Sequence, residues 1–226
     1  MVCEITIDLE TIPSQLPWVK EYVQKDVKPP GNIKKAESIQ AWYETKQGAA
    51  VQDALNKCSL DGAMNHIICI GFAVDDGEPK TFYCGEDPVN REAPMIKAFY
   101  DYVQEECGNY AHKWIGHHVV GFDLKILRQR SIILGIKWPP IMEATFQDKW
   151  GELVYDTMLK WSNDRRDFVS LEKLALAFGL ESPKESMSGS QVYQYWQADR
   201  HQEIMDYCKG DIETTRAVYR CMTMSV

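Results

Sequence analysis

Asp8 and Glu10 stand two residues apart in EITIDLETIP (4–13), a stretch that otherwise reads as a buried strand. Side chains alternate along a strand, so Ile5, Ile7 and Leu9 share one face while Thr6, Asp8 and Glu10 share the other. The Cα atoms of two acids so placed lie ~7 Å apart. Neighbouring anions repel, and burial makes each charge costlier. Divalent cations held between them would offset both terms, and oxygen ligands of this kind suit Mg²⁺ or Mn²⁺. The plainer alternative is a strand that ends at Glu10, with both acids in solvent ahead of Pro13.

Further acids occupy positions where chemistry is possible. DRHQEIMDYCKGDIETTRAVYRCM predicts a helix over 200–222, with Asp199 and Gln202 placed for a capping box. Its apolar stripe runs through Ile204, Tyr207, Cys208, Ile212, Thr215, Val218, Tyr219 and Met222. Asp211 falls in that stripe one turn after Tyr207, so an acid and a phenol face inward together. Gly210 weakens this helix interior by ~1 kcal/mol relative to Ala, which packing alone would not favour. A boundary acid bonded to a neighbour remains the alternative. Asp123 opens a second helix in GHHVVGFDLKIL, where the helix dipole alone favours an acid by ~0.3–1 kcal/mol. His117 and His118 are adjacent on a strand and so point to opposite faces. With no H-x-x-H or H-E-x-x-H beside them, they predict no zinc site.

The elements that must position these residues follow from pattern. Strands are expected at 3–10, 66–76, 80–85, 113–118 and 151–156, the second and third joined by the hairpin signal DDGEP. Helices are expected at 91–107, 122–134, 170–179 and 200–222. This order predicts an α/β fold, a mixed sheet with helices on its faces. Residues 11–60 contain Pro13, Pro17, KPPGN and a helical stretch at 36–57, and read as an insertion packed beside the sheet. LESPKESMSGS (180–190) reads as a turn-rich loop.

Composition narrows the classes. A length of 226 residues with 45% hydrophobic content fits one sizeable globular domain. No run of 18 apolar residues and no signal peptide is evident, which predicts neither a membrane span nor secretion. Seven scattered cysteines, odd in number and without C-x-x-C, predict reduced thiols and a cytoplasmic setting. A net charge of −8 excludes a simple basic-patch binder of nucleic acid. It leaves room for an enzyme that meets phosphates through bound cations.

D-x-E on the first strand, FD opening a middle helix and Y-x-x-x-D on the last helix together resemble the DEDD superfamily of 3′–5′ exonucleases, tyrosine subclass. More narrowly, IDLETIP, GFDLKIL, SGSQVYQYW and YCKGDIETT resemble the stand-alone exonucleases related to the proofreading domain of family-B DNA polymerases. The resemblance implies a ribonuclease H-like fold in a single domain over 1–226, with a five-stranded mixed sheet flanked by helices. It implies hydrolysis of phosphodiester bonds from the 3′ end of single-stranded nucleic acid, DNA ahead of RNA, releasing nucleoside 5′-monophosphates. It also implies two Mg²⁺ or Mn²⁺ ions, which at about 3.5–4 Å apart clamp a phosphodiester in line.

By the same resemblance, Asp8 would bridge the two ions and Glu10 and Asp211 would complete the first. Asp123 would hold the second through water, and Tyr207 would orient the attacking water. Leu9, Glu10, Thr11, His118 and Phe122 would touch substrate. His118 is a departure, because the family usually has Asn five residues before the middle Asp. Asp156 would either support the site from behind or simply cap a turn. Lys160, Arg165 and Arg166 beside Trp161 suit single-strand contacts, or form an ordinary solvated loop. Two non-enzymatic alternatives are a silent nucleic-acid-binding copy of the fold and a partner-regulating module that uses the 11–60 insertion around Trp42.

Overall fold

In the computed structural model, residues 2–108, 110–147, 153–163, 168–180 and 187–225 are described. Five strands form one mixed sheet in the order β3-β2-β1-β4-β5: β1 Val2–Pro13, β2 Asn65–Val74, β3 Lys80–Tyr83, β4 Ala111–Gly116 and β5 Val154–Asp156. The hairpin partners β2 and β3 pair antiparallel, β2 pairs antiparallel with β1, and β1, β4 and β5 run parallel. β1 therefore lies at the centre, and it runs on to Pro13 past the expected end at Glu10. A register shift between Glu10 and Thr11 lets it continue against β2.

Pairing of β1 with β4 stops at Thr6. The strands part there, and the carboxyl ends of the parallel strands open a crevice, the usual binding position in such sheets. Gly116 closes β4 because a Cβ there would fall 2.5 Å from the Val119 side chain.

Helices cover both faces. α1 Pro17–Asp26, α2 Ala36–Thr45 and α3 Gln47–Lys57 follow β1. α4 Pro88–Cys107 and α5 Asp123–Ile133 follow, then α6 Pro140–Gln147, α7 Thr157–Ser162, α8 Leu171–Ala177, α9 Val192–Gln197 and α10 His201–Thr223. Phe72, the register partner of Ile7, packs edge-on to Phe99 of α4, 5.6 Å between centroids. Gly71, the partner of Asp8, faces α10, where a Cβ would fall 2.5 Å from the Cys208 sulfur. The aliphatic face of β1 thus meets α4, and the acidic face meets α10. No described helix is long and apolar enough to cross a membrane.

Several expectations need correction. The stretch 36–57 is two helices, broken at Lys46, and α1 opens on Pro17, a residue preorganised for a first helical turn. Trp42 itself is buried, 6% exposed, while Tyr43 beside it is 43% exposed. The Asp199–Gln202 capping box does not form. Asp199 takes a left-handed φ of 57°, and the first turn of α10 is held instead by Arg200 donating to Glu203 at 2.6 and 2.5 Å. Cys3 and Cys107 pair as a disulfide where only free thiols were expected, their Cα atoms 6.1 Å apart, a span a disulfide bridges. The central part of the expected 180–190 loop, residues 181–186, lies outside the described residues.

A buried ion cluster ties the layers together. Glu92 of α4 is fully buried; it accepts from Arg130 of α5 at 2.8 and 2.7 Å and from the Ile67 backbone N–H at 2.9 Å, with His66 Nδ1 at 2.7 Å. Burial alone would raise its pKa, but hydrogen bonds from His66 and Arg130 hold it below the usual carboxylate range. Removing one partner of such a pair leaves an uncompensated buried charge, so Arg130→Met is expected to cost about 3–5 kcal/mol in urea unfolding. A loss under roughly 1 kcal/mol, the range of an exposed pair, would show that the cluster is not structural cement.

Candidate active site

The crevice at the carboxyl ends of β1, β4 and β5 gathers the expected acids from distant parts of the chain. Asp8 and Glu10 project from β1 toward α10. Asp123 comes from the first turn of α5, is 2% exposed, and accepts a hydrogen bond from the Leu9 backbone N–H at 2.9 Å. That N–H is available because β4 has already parted from β1. From α10, the Tyr207 hydroxyl bonds the Asp211 carboxylate one turn on, and Asp211 acts electrostatically on Glu10.

The electrostatics are those of crowded, buried anions. Burial pushes the Asp8 carboxyl up to about 6, with the Cys208 thiol donating to it and offsetting part of the rise. Glu10 is raised well above the carboxylate range by burial, and then by Asp8, Asp211, Cys69 and Asp123. Asp123 is raised by burial and by Asp8, against the lowering effect of the Leu9 N–H. Tyr207 is raised by burial and by Glu10, Asp211 and Asp8, so the phenol keeps its proton at neutral pH.

Glu10 is the decisive residue. It is 6% exposed and accepts no hydrogen bond from any described residue. Buried carboxylates are ordinarily paired or bonded, and one without a described partner among like charges could hold a cation. Asp8, Glu10 and Cys208 form a ligand group, with one ligand atom of each lying within 4.8 Å of the others. The residues present fit a divalent metal.

The supporting residues are resolved in detail. Asp156 accepts from the backbone N–H groups of Met158 at 3.1 Å and Leu159 at 3.2 Å, and so caps α7. It also accepts from His118 and Val120, both at 3.0 Å. It is cap and loop anchor at once, and the loop it anchors leads into Asp123. Asp156→Ala is expected to lose the cap, worth ~1 kcal/mol, and to loosen that loop. Turnover should then fall ~10–100-fold, the range for groups that orient metal ligands. An alanine variant that melts and turns over as the parent does would contradict both roles.

His118 has a φ of 62°, a left-handed conformation that Asn and His tolerate better than most residues. Its ring lies over Gly121, where a Cβ would meet it at 2.2 Å, and edge-on to Phe168 at 5.8 Å. Burial lowers its pKa, so it is neutral at pH 7. His117 instead donates from Nε2 to the Val169 carbonyl at 2.8 Å, with Nδ1 2.9 Å from the Thr157 hydroxyl.

Of the expected substrate contacts, Leu9 is buried beneath the crevice and Phe122 is half-buried at the start of α5. The Thr11 hydroxyl donates to the Ser59 carbonyl at 2.7 Å. Lys160 sits over the Tyr155 ring, 5.8 Å from its centre, while Trp161 meets Phe178 edge-on. Arg165 and Arg166 lie outside the described residues.

Residues 60–226 match the family described as "Predicted 3'-5' exonuclease related to the exonuclease domain of PolB". The chain belongs to this family. The matched span contains Asp123, Asp156, Tyr207 and Asp211 and begins after β1, so Asp8 and Glu10 lie outside it.

Among solved structures, the family B DNA polymerase from the hyperthermophilic archaeon Pyrobaculum calidifontis is similar over 99% of this chain, with a TM-score of 0.58 and 17% identity. This chain spans 25% of that polymerase. Exonuclease I of E. coli, solved in complex with a dT13 oligonucleotide, gives a TM-score of 0.43 at 14% identity, over 92% of this chain and 43% of its own. No curated protein matches. The fold of this family member is therefore of the ribonuclease H-like exonuclease type, a five-stranded mixed sheet flanked by helices.

Cys208 was not foreseen as a site residue. It follows Tyr207 directly and lies in the apolar stripe of α10, where a thiol reads as a small hydrophobe. Only the contact with Asp8 reveals its position.

Proposed function

We propose that the chain is a metal-dependent 3′–5′ exonuclease that removes nucleoside 5′-monophosphates from the 3′ ends of single-stranded nucleic acid, DNA ahead of RNA. The observation that carries this reading is the bare, buried Glu10 carboxylate among Asp8, Asp123 and Asp211, in a member of a family of predicted 3′–5′ exonucleases. Asp8, Glu10, Asp123 and Asp211 would hold two divalent ions, Mg²⁺ or Mn²⁺. When bound, those ions supply charge neutralisation on the phosphate and an acidified water.

The chain's own groups do the positioning. Tyr207 keeps its proton, so it orients a water by hydrogen bonding and does not deprotonate it. Asp211 holds the phenol in place. The Leu9 N–H bond to Asp123 locks β1 to α5, so that the acids on the two elements keep their spacing. Asp156 fixes the approach to Asp123. Phe122 and the backbone of Leu9 border the terminal nucleotide. Glu10 and the Thr11 backbone border it, and neutral His118 offers it a hydrogen bond. α1–α3 form an insertion beside a single catalytic domain and border the crevice, because they follow the acidic strand directly.

Chromatography of the products from single-stranded DNA and RNA, with Mg²⁺, Mn²⁺ or EDTA, tests the reading. Nucleoside 5′-monophosphates formed only with metal are expected. Nucleoside 3′-monophosphates would overturn the chemistry, and tight binding without cleavage would instead mark a silent copy of the fold.

A further inference from the structure

We propose that the acidic cluster takes a second class of occupant, a thiophilic divalent cation of the Zn²⁺ type bound by Asp8, Glu10 and the sulfur of Cys208. This occupant excludes the hard cation and holds the site silent. The inhibitory half rests on the exonuclease reading; the binding half does not.

The geometry suits a small, soft ion. Zinc bonds sulfur at ~2.3 Å and carboxylate oxygen at ~2.0–2.2 Å, so two such ligands on one tetrahedral centre are ~3.5 Å apart. The Cys208 sulfur lies 3.4 Å from Asp8 Oδ2. Glu10 completes a group whose ligand atoms are all within 4.8 Å of one another. Independently of the thiol, Glu10 is 6% exposed and accepts no hydrogen bond from any described residue, so the group contains a carboxylate open to ligation.

The backbone around the sulfur is shaped to admit it. Gly71 of β2 lies under Cys208, and any Cβ there would come within 2.5 Å of the sulfur and push it away from Asp8. Cys69, the register partner of Glu10, hydrogen-bonds Cys208 from the same side. A thiolate is a poor ligand for Mg²⁺ and a good one for Zn²⁺ or Cd²⁺. On binding, the sulfur–metal bond replaces the S–H bond, and one proton leaves to solvent per ion. Asp8 and Glu10 cannot give the same oxygens to two ions in different geometries, so occupation by the soft ion competes with occupation by the hard one.

Cd²⁺ is the probe, because its bond to a thiolate absorbs in the ultraviolet. Titrating the metal-free full chain should give a saturable thiolate band. Its amplitude should fall by one thiolate equivalent per chain in Cys208→Ser, and apparent affinity should fall at least ~10-fold in Asp8→Asn, each lost ligand being worth that much or more. Calorimetric Mn²⁺ binding to Cys208→Ser, with its circular dichroism, shows that the variant is folded and the acids intact. Excess Mg²⁺ should shift the Cd²⁺ curve to higher concentration, and Zn²⁺ should inhibit Mg²⁺-supported cleavage far more in the parent than in Cys208→Ser, each measured against its own Mg²⁺ rate. A Cd²⁺ band in Cys208→Ser equal to the parental one overturns the site. Equal zinc inhibition of both proteins overturns the silencing and leaves the exonuclease reading standing. A Cys208-dependent band in a protein that cleaves nothing supports the site and removes the exonuclease reading.

Discussion

Asp8→Asn is expected to lower cleavage by about 10³-fold or more, since the ions that carboxylate would hold account for several kcal/mol of transition-state stabilisation. The same change should stabilise the metal-free protein. Burial holds the Asp8 carboxyl near 6, against 3.8 for an ordinary aspartate. The folded state therefore binds more protons than the unfolded state across that interval, and stability falls as pH rises through it. Above about 6 the full cost of the charge is present, about 3 kcal/mol for a shift of this size. Asparagine carries no such charge. Without metal, the variant should melt higher than the parent at pH 7.5, and the difference should shrink toward pH 4. With Mn²⁺ the order should reverse, because only the parent gains binding free energy. An active Asp8→Asn protein, or one whose melting is indifferent to both pH and Mn²⁺, would contradict the assignment.

Tyr207→Phe separates positioning from metal binding. The variant keeps the ring and its packing and deletes the hydroxyl that bonds Asp211. Turnover should fall by roughly one to three powers of ten, within the range of acid–base and positioning effects. Mn²⁺ affinity should change little, since the phenol is not a ligand in this account. The pH–rate profile should keep its shape, because burial and three neighbouring acids already hold the phenol's pKa above the working range. Single-turnover cleavage beside calorimetric titration reads both effects. A parental rate would make the hydroxyl structural, and lost metal binding would make it part of the metal site.

Much of this site can be read from residue order, because its parts obey short-range rules. Alternation on β1 places Asp8 and Glu10 together, and helical spacing on α10 does the same for Tyr207 and Asp211. The β2–β3 hairpin is announced by its turn residues. What could not be read depends on contacts between distant segments. Glu92, Arg130 and His66 meet across two helices and a strand, and no local pattern pairs them. Cys3 and Cys107 are 104 residues apart. Cys208 looks like core until Asp8 is seen beside it. Local signals also misled where packing overrode them. The capping residues before α10 yield to Arg200 and Glu203, and the helix expected at 36–57 breaks at Lys46.

The most direct test of the account is a time course on a 5′-end-labelled single strand, with Mn²⁺ or with EDTA, using the parent and Asp8→Asn. The account predicts a ladder that shortens one nucleotide at a time from the 3′ end, seen only with metal and only in the parent. Immediate release of the labelled 5′ nucleotide, internal cuts, or an equal ladder from Asp8→Asn would contradict it.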